Sequence, residues 1–178
     1  MKRNKFLILA AVSICFISAC AKEVPQISET PATHENAQTE TLSADATNGQ
    51  ILFRSFQNAV TSNSKLTVQE IADIVIANDI LPFDAVTSPV EPGFLAGFGN
   101  VEITGFKEGI MFGPVISTIP FIGYVFELDE STDVDEFVEL LEDNGNLRWN
   151  ICTSAEELVA GSEGNKVFFV MCTERFEE

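Results

Sequence analysis

Near the carboxyl end, residues 167–171 read Val167-Phe168-Phe169-Val170-Met171, five apolar side chains in succession. A strand with one wet face alternates apolar and polar residues. An unbroken run of this length is therefore typical of a strand that is buried on both faces. We expect this strand to belong to a sheet on which amphipathic helices pack.

Three segments upstream carry the apolar spacing and the capping residues of helices. Thr67 is followed three residues later by Glu70, and Asp133 is followed in the same way by Glu136. Ser154 and Glu157 repeat the pattern and predict a short helix of one to two turns. The longer helices are expected over residues 48–62, from Thr67 to about Asn78, and from Asp133 to Asn144.

Residues 83–128 are richer in Phe, Gly and Pro, and their apolar runs are of β type. We expect strands over 101–106 and 110–112 joined by a tight turn at Lys107-Glu108-Gly109. Further strands are predicted over Ile119–Leu128 and Leu147–Cys152. Residues 48–178 should then form a two-layer α+β domain with helices on a four- or five-stranded mixed sheet.

The amino terminus has the pattern of an export signal. Three basic residues precede an apolar segment over residues 6–17, which ends in Ile17-Ser18-Ala19-Cys20. These last four residues resemble the lipobox of bacterial lipoproteins. The resemblance implies a signal peptide over residues 1–19, cleavage before Cys20 and a lipid attached to Cys20.

Residues 20–47 are rich in Thr, Glu, Ala, Ser and Pro and have few large apolar side chains, so we expect a disordered tether after the lipidated cysteine. The only histidine, His34, is interpreted as a solvated residue of this tether. The expected location is the outer face of the bacterial cell membrane, or the outer membrane in a Gram-negative cell.

The chain has 10 Lys+Arg against 27 Asp+Glu and a formal net charge of −17. A nucleic acid partner is excluded because a phosphate backbone repels such a chain. Three of the basic residues belong to the signal peptide, so the lipid must hold the protein to a membrane without help from a basic patch.

Motifs of catalysis and of cofactor binding are incomplete in this sequence. Ser62-Asn63-Ser64-Lys65 has the spacing of a serine–lysine nucleophile but falls between two predicted helices and lacks its partner motif. Gly97-Phe98-Gly99 has Glu102 where a dinucleotide loop has its third glycine. We therefore assign no catalytic residue and expect no cofactor.

The acidic segment from Asp129 to Glu136 spaces three oxygen ligands as a calcium loop does. However, Val134 stands where the loop needs glycine, and Leu140 stands where it needs a chelating glutamate. We assign no metal ligand. An irregular calcium site stays an alternative to acidic residues that simply favour a helix N-terminus.

Two cysteines fall in the domain, Cys152 and Cys172, since Cys15 leaves with the signal peptide. A disulfide between them would close a loop worth about 3 kcal/mol in the chain-entropy account. It would require the two strands that end in these cysteines to be parallel or not adjacent. The alternative is a pair of small buried apolar residues.

Residues 109–126 contain no charged side chain, which allows a membrane span, buried strands or an apolar hairpin exposed as a partner surface. The glycines and prolines within them favour strands. Arg148 and the lone tryptophan, Trp149, are of the types that contact ligands, although a lone tryptophan is more often a core residue.

Three segments, Pro120–Phe126, Arg148–Cys152 and Val167–Met171, resemble lipoproteins of gut-type bacteria that have no defined activity, so the resemblance implies no function. The sequence favours a non-enzymatic, lipid-anchored envelope protein that binds a small ligand or another envelope protein. The alternative is a carboxylate-dependent hydrolase acting on glycans. Its acids would lie in the glycine- and proline-rich region, which holds Glu91, Glu102 and Glu108, and the sequence singles out no pair of them.

Overall fold

The computed structural model describes residues 45–116 and 118–176, and the predicted signal peptide, Cys20, His34 and the tether up to residue 44 lie outside them. The elements follow one another in this order: α1 (Asn48–Ser62), α2 (Val68–Ile76), β1 (Ala85–Val90), β2 (Gly93–Phe94), β3 (Glu102–Ile103), β4 (Phe106–Pro114), β5 (Ile122–Leu128), α3 (Val134–Asn144), β6 (Glu157–Glu163) and β7 (Lys166–Cys172).

Five strands form one sheet in the order β1-β4-β5-β7-β6, and β2 pairs with β3 in a separate hairpin. The α+β class with helices on a five-stranded sheet is therefore confirmed. All four pairings of the large sheet are antiparallel, whereas the sequence was expected to give a mixed sheet. The reason is that β6 and β7 form a hairpin around Gly164, which has a φ of 64°, instead of being linked by a crossover helix.

At α2 and α3 the capping residues predicted the helix starts correctly. Thr67 and Glu70 form a capping box at α2, and the Asp133 carboxylate accepts the N–H groups of Asp135 and Glu136 at α3. Bonds from the backbone and hydroxyl of Thr67 lower the pKa of Glu70. These interactions are local, so the sequence spacing is enough to identify them.

The prediction of a short helix after Ser154 is wrong, because β6 begins at Glu157. All seven residues of β6 pair with β7, which satisfies their backbone groups in a ladder. The strand expected over Leu147–Cys152 is also wrong. This segment consists of turns and bends, in which the Trp149 N–H donates to the Asn146 carbonyl at 2.9 Å.

The turn expected at Lys107-Glu108-Gly109 lies inside β4, where the pairing with β5 shifts register between Phe106 and Glu108. Gly109 is needed there for close packing: a Cβ on it would lie 2.9 Å from both the Phe106 ring and a methyl of Val90. The strand expected from Ile119 begins at Ile122 instead.

The sheet carries apolar side chains on both faces. α1 and α2 cover one face, where Phe56 and Ile71 pack with Phe168. α3 and irregular segments cover the other, where Phe137 packs with Phe169. All seven residues of β7 are buried, which confirms the prediction from its apolar run. The cover on the second face gives the domain a third layer, whereas the sequence analysis predicted two layers.

The antiparallel register gives the large sheet two distinct ends. The end that we call the cleft end contains Pro114, Ile122, Glu157 and Cys172. The opposite end contains the last residues of β1 and β5 and the first residues of β4 and β7. Among the described residues, no helix has both the length and the apolar character needed to cross a bilayer.

Candidate binding site

An apolar cleft lies at the cleft end, where the segment joining β4 to β5 meets the irregular loop after α3. Its volume is about 180 Å³. We call it the Trp149 cleft, because the side chain of the only tryptophan forms part of its wall. It is lined by Met111, Phe112, Gly113, Pro114, Ile119, Phe121, Ile122, Trp149 and Asn150.

Backbone hydrogen bonds fix the loop that presents Trp149. The Trp149 N–H is held by the Asn146 carbonyl, and the Ala155 N–H donates to the Leu147 carbonyl at 2.9 Å. The indole is half-buried and packs against the buried cluster that contains Tyr124. Trp149 therefore packs on the core, as is usual for a lone tryptophan, and also lines the cleft. Its contact with a ligand stays a prediction.

Three exposed aliphatic side chains flank the cleft, and we call them the apolar rim. Val115 and Ile116 continue from the cleft residue Pro114 and are 64% and 67% exposed. Ile151 follows the cleft residue Asn150 and is 100% exposed. A single exposed aliphatic residue is ordinary on a protein surface, but three around one apolar cleft are typical of an interaction surface.

The two segments that line the cleft are almost free of charge, and Asp84 lies beside them, since its carbonyl accepts the Val115 N–H at 3.3 Å. Residues 109–126 have no charged side chain, and between Asn144 and Ala155 the only one is Arg148, which is exposed. This contrasts with the net charge of −17 for the whole chain. Residues 109–126, considered as a membrane span or a partner surface, form most of β4 and most of β5. The residues that connect the two strands contribute Val115 and Ile116 to the apolar rim.

The described chain begins at this same end of the sheet. The Asn48 N–H donates to the Glu174 carbonyl, and the Asn48 side-chain amide donates to the Thr173 carbonyl, both at 3.0 Å. Thr47 caps α1 and donates its hydroxyl to the Glu157 carboxylate at 2.6 Å. These bonds fasten the start of α1 to β6 and to the residues that follow β7.

Glu157 is the centre of that attachment. Its Oε1 accepts the Gly49 N–H at 2.7 Å and the Cys172 thiol at 3.4 Å, and its Oε2 accepts the Thr47 hydroxyl. Gly49 allows α1 to approach β6 closely, since a Cβ there would lie 2.7 Å from a methyl of Val159. The sequence pattern assigned Glu157 to a different helix, so this role was missed.

The two cysteines of the domain are free thiols in the structure. Cys152 is exposed in the loop after α3, and Cys172 is buried at the end of β7. Burial, and secondly the negative charge of Glu157, raise the pKa of the Cys172 thiol. The protonated thiol is a poor nucleophile, which makes Cys172 a structural residue in this state. The disulfide between Cys152 and Cys172 stays a prediction, for which thiol labelling provides a test.

The acidic residues considered for a hydrolase are brought together only in part. Glu91 and Glu108 line one shallow groove beside Lys107 at the opposite end of the sheet. Glu102 lies on β3 and is not among the residues that line this groove. All three carboxylates are exposed to water, so the fold does not enclose them in a cleft.

A further ion pair ties β4 to β5 at that end. Lys107 Nζ lies 2.7 Å from Glu127 Oε1, which also accepts a bond from the Asn165 amide at 3.3 Å. The lysine bond is the largest cause that lowers the pKa of Glu127. Within the described residues, no group of three or more His, Cys, Asp or Glu side chains is arranged to hold a metal ion. Asp133 of the acidic segment caps α3.

Comparisons of the chain with protein families, with curated proteins and with solved structures give no match.

Proposed function

We propose that the protein is an exported, lipid-anchored component of the bacterial envelope and that it works as a non-enzymatic binding module. The apolar Trp149 cleft with its apolar rim carries the proposal. A surface of this kind, on a chain that is otherwise strongly acidic, is suited to an apolar group of a ligand or partner. The lipobox ending in Cys20 supports the anchor and the location.

The cleft limits the chemistry of the ligand. Its lining residues are aliphatic and aromatic apart from Gly113 and Asn150, and Asn150 is the one with a polar side chain. A cleft of about 180 Å³ accepts one side chain or a short acyl segment and not a whole drug-sized molecule. We therefore expect an extended ligand that inserts one apolar group here and contacts the apolar rim with its remainder.

The experiment uses the only tryptophan of the chain as a reporter of the cleft. The purified protein is titrated with short-chain detergents, apolar peptides, oligosaccharides and divalent cations, and both Trp149 emission and the melting temperature are recorded. A ligand of the cleft should shift the emission to shorter wavelength and raise the melting temperature saturably, because it binds only the folded state.

The control for this titration is Ile151→Asp, which changes the apolar rim and leaves the tryptophan in place. It should weaken the response to apolar ligands. If no ligand in the panel changes the emission, the cleft is not a binding site and the proposal fails. A glycan that raises the melting temperature without changing Trp149 emission would instead direct attention to the groove between Glu91 and Glu108 and to the hydrolase.

A further inference from the structure

We infer that the apolar rim and the Trp149 cleft rest on the bilayer that carries the lipid anchor, so that the domain is seated on the membrane by its cleft end. The inference deepens the proposed function and rests on it, because it names the occupant of the apolar surface as the acyl region of a lipid bilayer. Its grounds are where the described chain begins, how charge is distributed and which side chains are exposed.

The first ground is the position from which the chain leaves the described domain. Asn48 is bonded to the residues that follow β7, and Glu157 at the start of β6 holds Thr47. The Trp149 cleft lies over the ends of β4 and β5 at the same end of the sheet. Neighbouring strands are about 4.8 Å apart, so the two places are roughly 10–15 Å apart along the strand order. They lie on opposite faces of the sheet, since α1 packs on one face and Trp149 on the other.

That separation is small compared with the reach of the preceding residues. The sequence predicts a tether here, with 27 residues between Cys20 and Asn48, and a flexible chain of that length spans about 30 Å on average. An anchor at Cys20 would therefore keep the apolar rim close to the lipid surface at an effective concentration in the millimolar range. At such a concentration, weak contacts between the apolar rim and the lipid are sufficient.

The second ground is charge. Anionic headgroups repel acidic surfaces, so a domain of this composition can approach a bilayer only through a part that lacks carboxylates. The two segments that line the cleft carry no carboxylate and have Arg148 as their single charged residue. Carboxylates border this part at the same end of the sheet: Asp84, whose carbonyl accepts the Val115 N–H, Glu157 at the start of β6 and Glu174 just after β7.

The third ground is the type of the exposed residues. Tryptophan is enriched at the boundary between acyl chains and headgroups, and aliphatic side chains that protrude from a loop gain from burial among acyl chains. The Trp149 indole is half-buried beside the fully exposed Ile151. A bilayer can cover the apolar rim and fill the cleft simultaneously.

The test measures whether bromine atoms on lipid acyl chains quench Trp149. The full chain is expressed in a bacterium that processes lipoproteins, and the lipid-bearing protein is reconstituted into phosphatidylcholine vesicles with or without brominated acyl chains. We expect lower Trp149 emission in the brominated vesicles. A double variant, Ile116→Asp with Ile151→Asp, should stay in the vesicles through its lipid but lose the quenching.

Phe94→Asp is the matched control. Phe94 is 70% exposed, and it lies only four residues after the end of β1 that belongs to the opposite end of the sheet. This variant removes an exposed apolar residue of similar size without changing the cleft, and it should be quenched like the parent protein. Urea unfolding of each variant checks that the domain is intact. We expect it to be intact, because all three substituted residues are exposed.

Equal emission of the anchored parent protein in both kinds of vesicle would overturn the inference. If apolar ligands still shift Trp149 emission in that case, the proposed function survives without the membrane contact. If they do not, both fail. A shift of emission to shorter wavelength that depends on protein concentration and not on bromine would assign the apolar rim to a second copy of the chain, which also overturns the inference.

Discussion

Replacing Glu157 should be among the most destabilising changes on the outside of this domain, although the residue is only half-buried. Its carboxylate accepts bonds from the Thr47 hydroxyl, the Gly49 N–H and the Cys172 thiol. It also places a negative charge at the amino end of α1, where the helix has no acidic residue of its own in the first turn.

The magnitude follows from these contacts. A hydrogen bond to a charged group contributes about 1.5–3 kcal/mol, and the interaction of a charge with a helix terminus adds about 0.3–1 kcal/mol. At a half-buried site, hydrogen bonds to water replace part of the hydrogen-bond energy that the substitution removes. We expect Glu157→Ala to lower the free energy of unfolding by about 3 kcal/mol, which corresponds to roughly 10 °C in melting temperature for a domain of this size. Glu157→Gln keeps one acceptor and should cost about half as much.

Urea unfolding followed by circular dichroism measures these values, with Glu156→Ala as the control. Glu156 is exposed and accepts a single bond, from the Glu174 N–H. Its removal should cost less than about 1 kcal/mol. Thr47→Ala should cost about 1 kcal/mol and should be less costly when Glu157 is already alanine, because the two side chains are coupled. Equal effects of Glu156→Ala and Glu157→Ala would refute the assignment of Glu157 as the centre of the attachment.

Other parts of the structure give three further predictions. A thiol reagent should modify Cys152 in the native protein and Cys172 only after unfolding, whereas the disulfide would leave both unreactive until a reductant is added. Glu127→Gln should lower stability at neutral pH and converge with the parent protein in strong acid. The reason is that the Lys107 bond lowers the pKa of Glu127, so its stabilisation is present above the unfolded-state value of 4.5 and is lost as the pH falls through the folded-state value. Gly123→Ala should reduce the melting temperature by several degrees, because its Cβ would collide with a buried phenylalanine ring of β4.

The elements that the sequence predicted well are those whose signals are local. Thr67 and Glu70 interact with each other across one helical turn, so their spacing alone identifies the start of α2. The apolar run of β7 likewise predicts burial without any knowledge of the neighbouring strands. Such features depend on a few consecutive residues, and the structure confirms them.

The misassigned elements depend on distant partners. Ser154 and Glu157 have the spacing of a capping box, but Glu157 uses its carboxylate to hold Gly49, 108 residues earlier in the chain. Gly109 has the composition of a turn, yet its small size serves close packing inside β4. A residue type that satisfies two physical requirements cannot be assigned until the partner is known.

The candidate site shows the same division. Trp149 and the uncharged residues 109–126 were noticed separately in the sequence, as a ligand-type residue and as an apolar segment. The cleft exists because Pro114, Ile119 and Phe121 meet Trp149 and Asn150 at one end of the sheet. Their proximity follows from the strand order, which could not be predicted from the sequence pattern.

The most direct test of the account is the mass of the amino-terminal peptide of the protein recovered from bacterial membranes. The account predicts a chain that begins at Cys20 and carries at least two acyl chains, since one chain holds a protein only marginally. It also predicts that Cys20→Ser removes the protein from the membrane fraction. An unmodified Cys20 in a protein recovered from the soluble fraction would contradict the lipid anchor and, with it, the seating of the Trp149 cleft on the membrane.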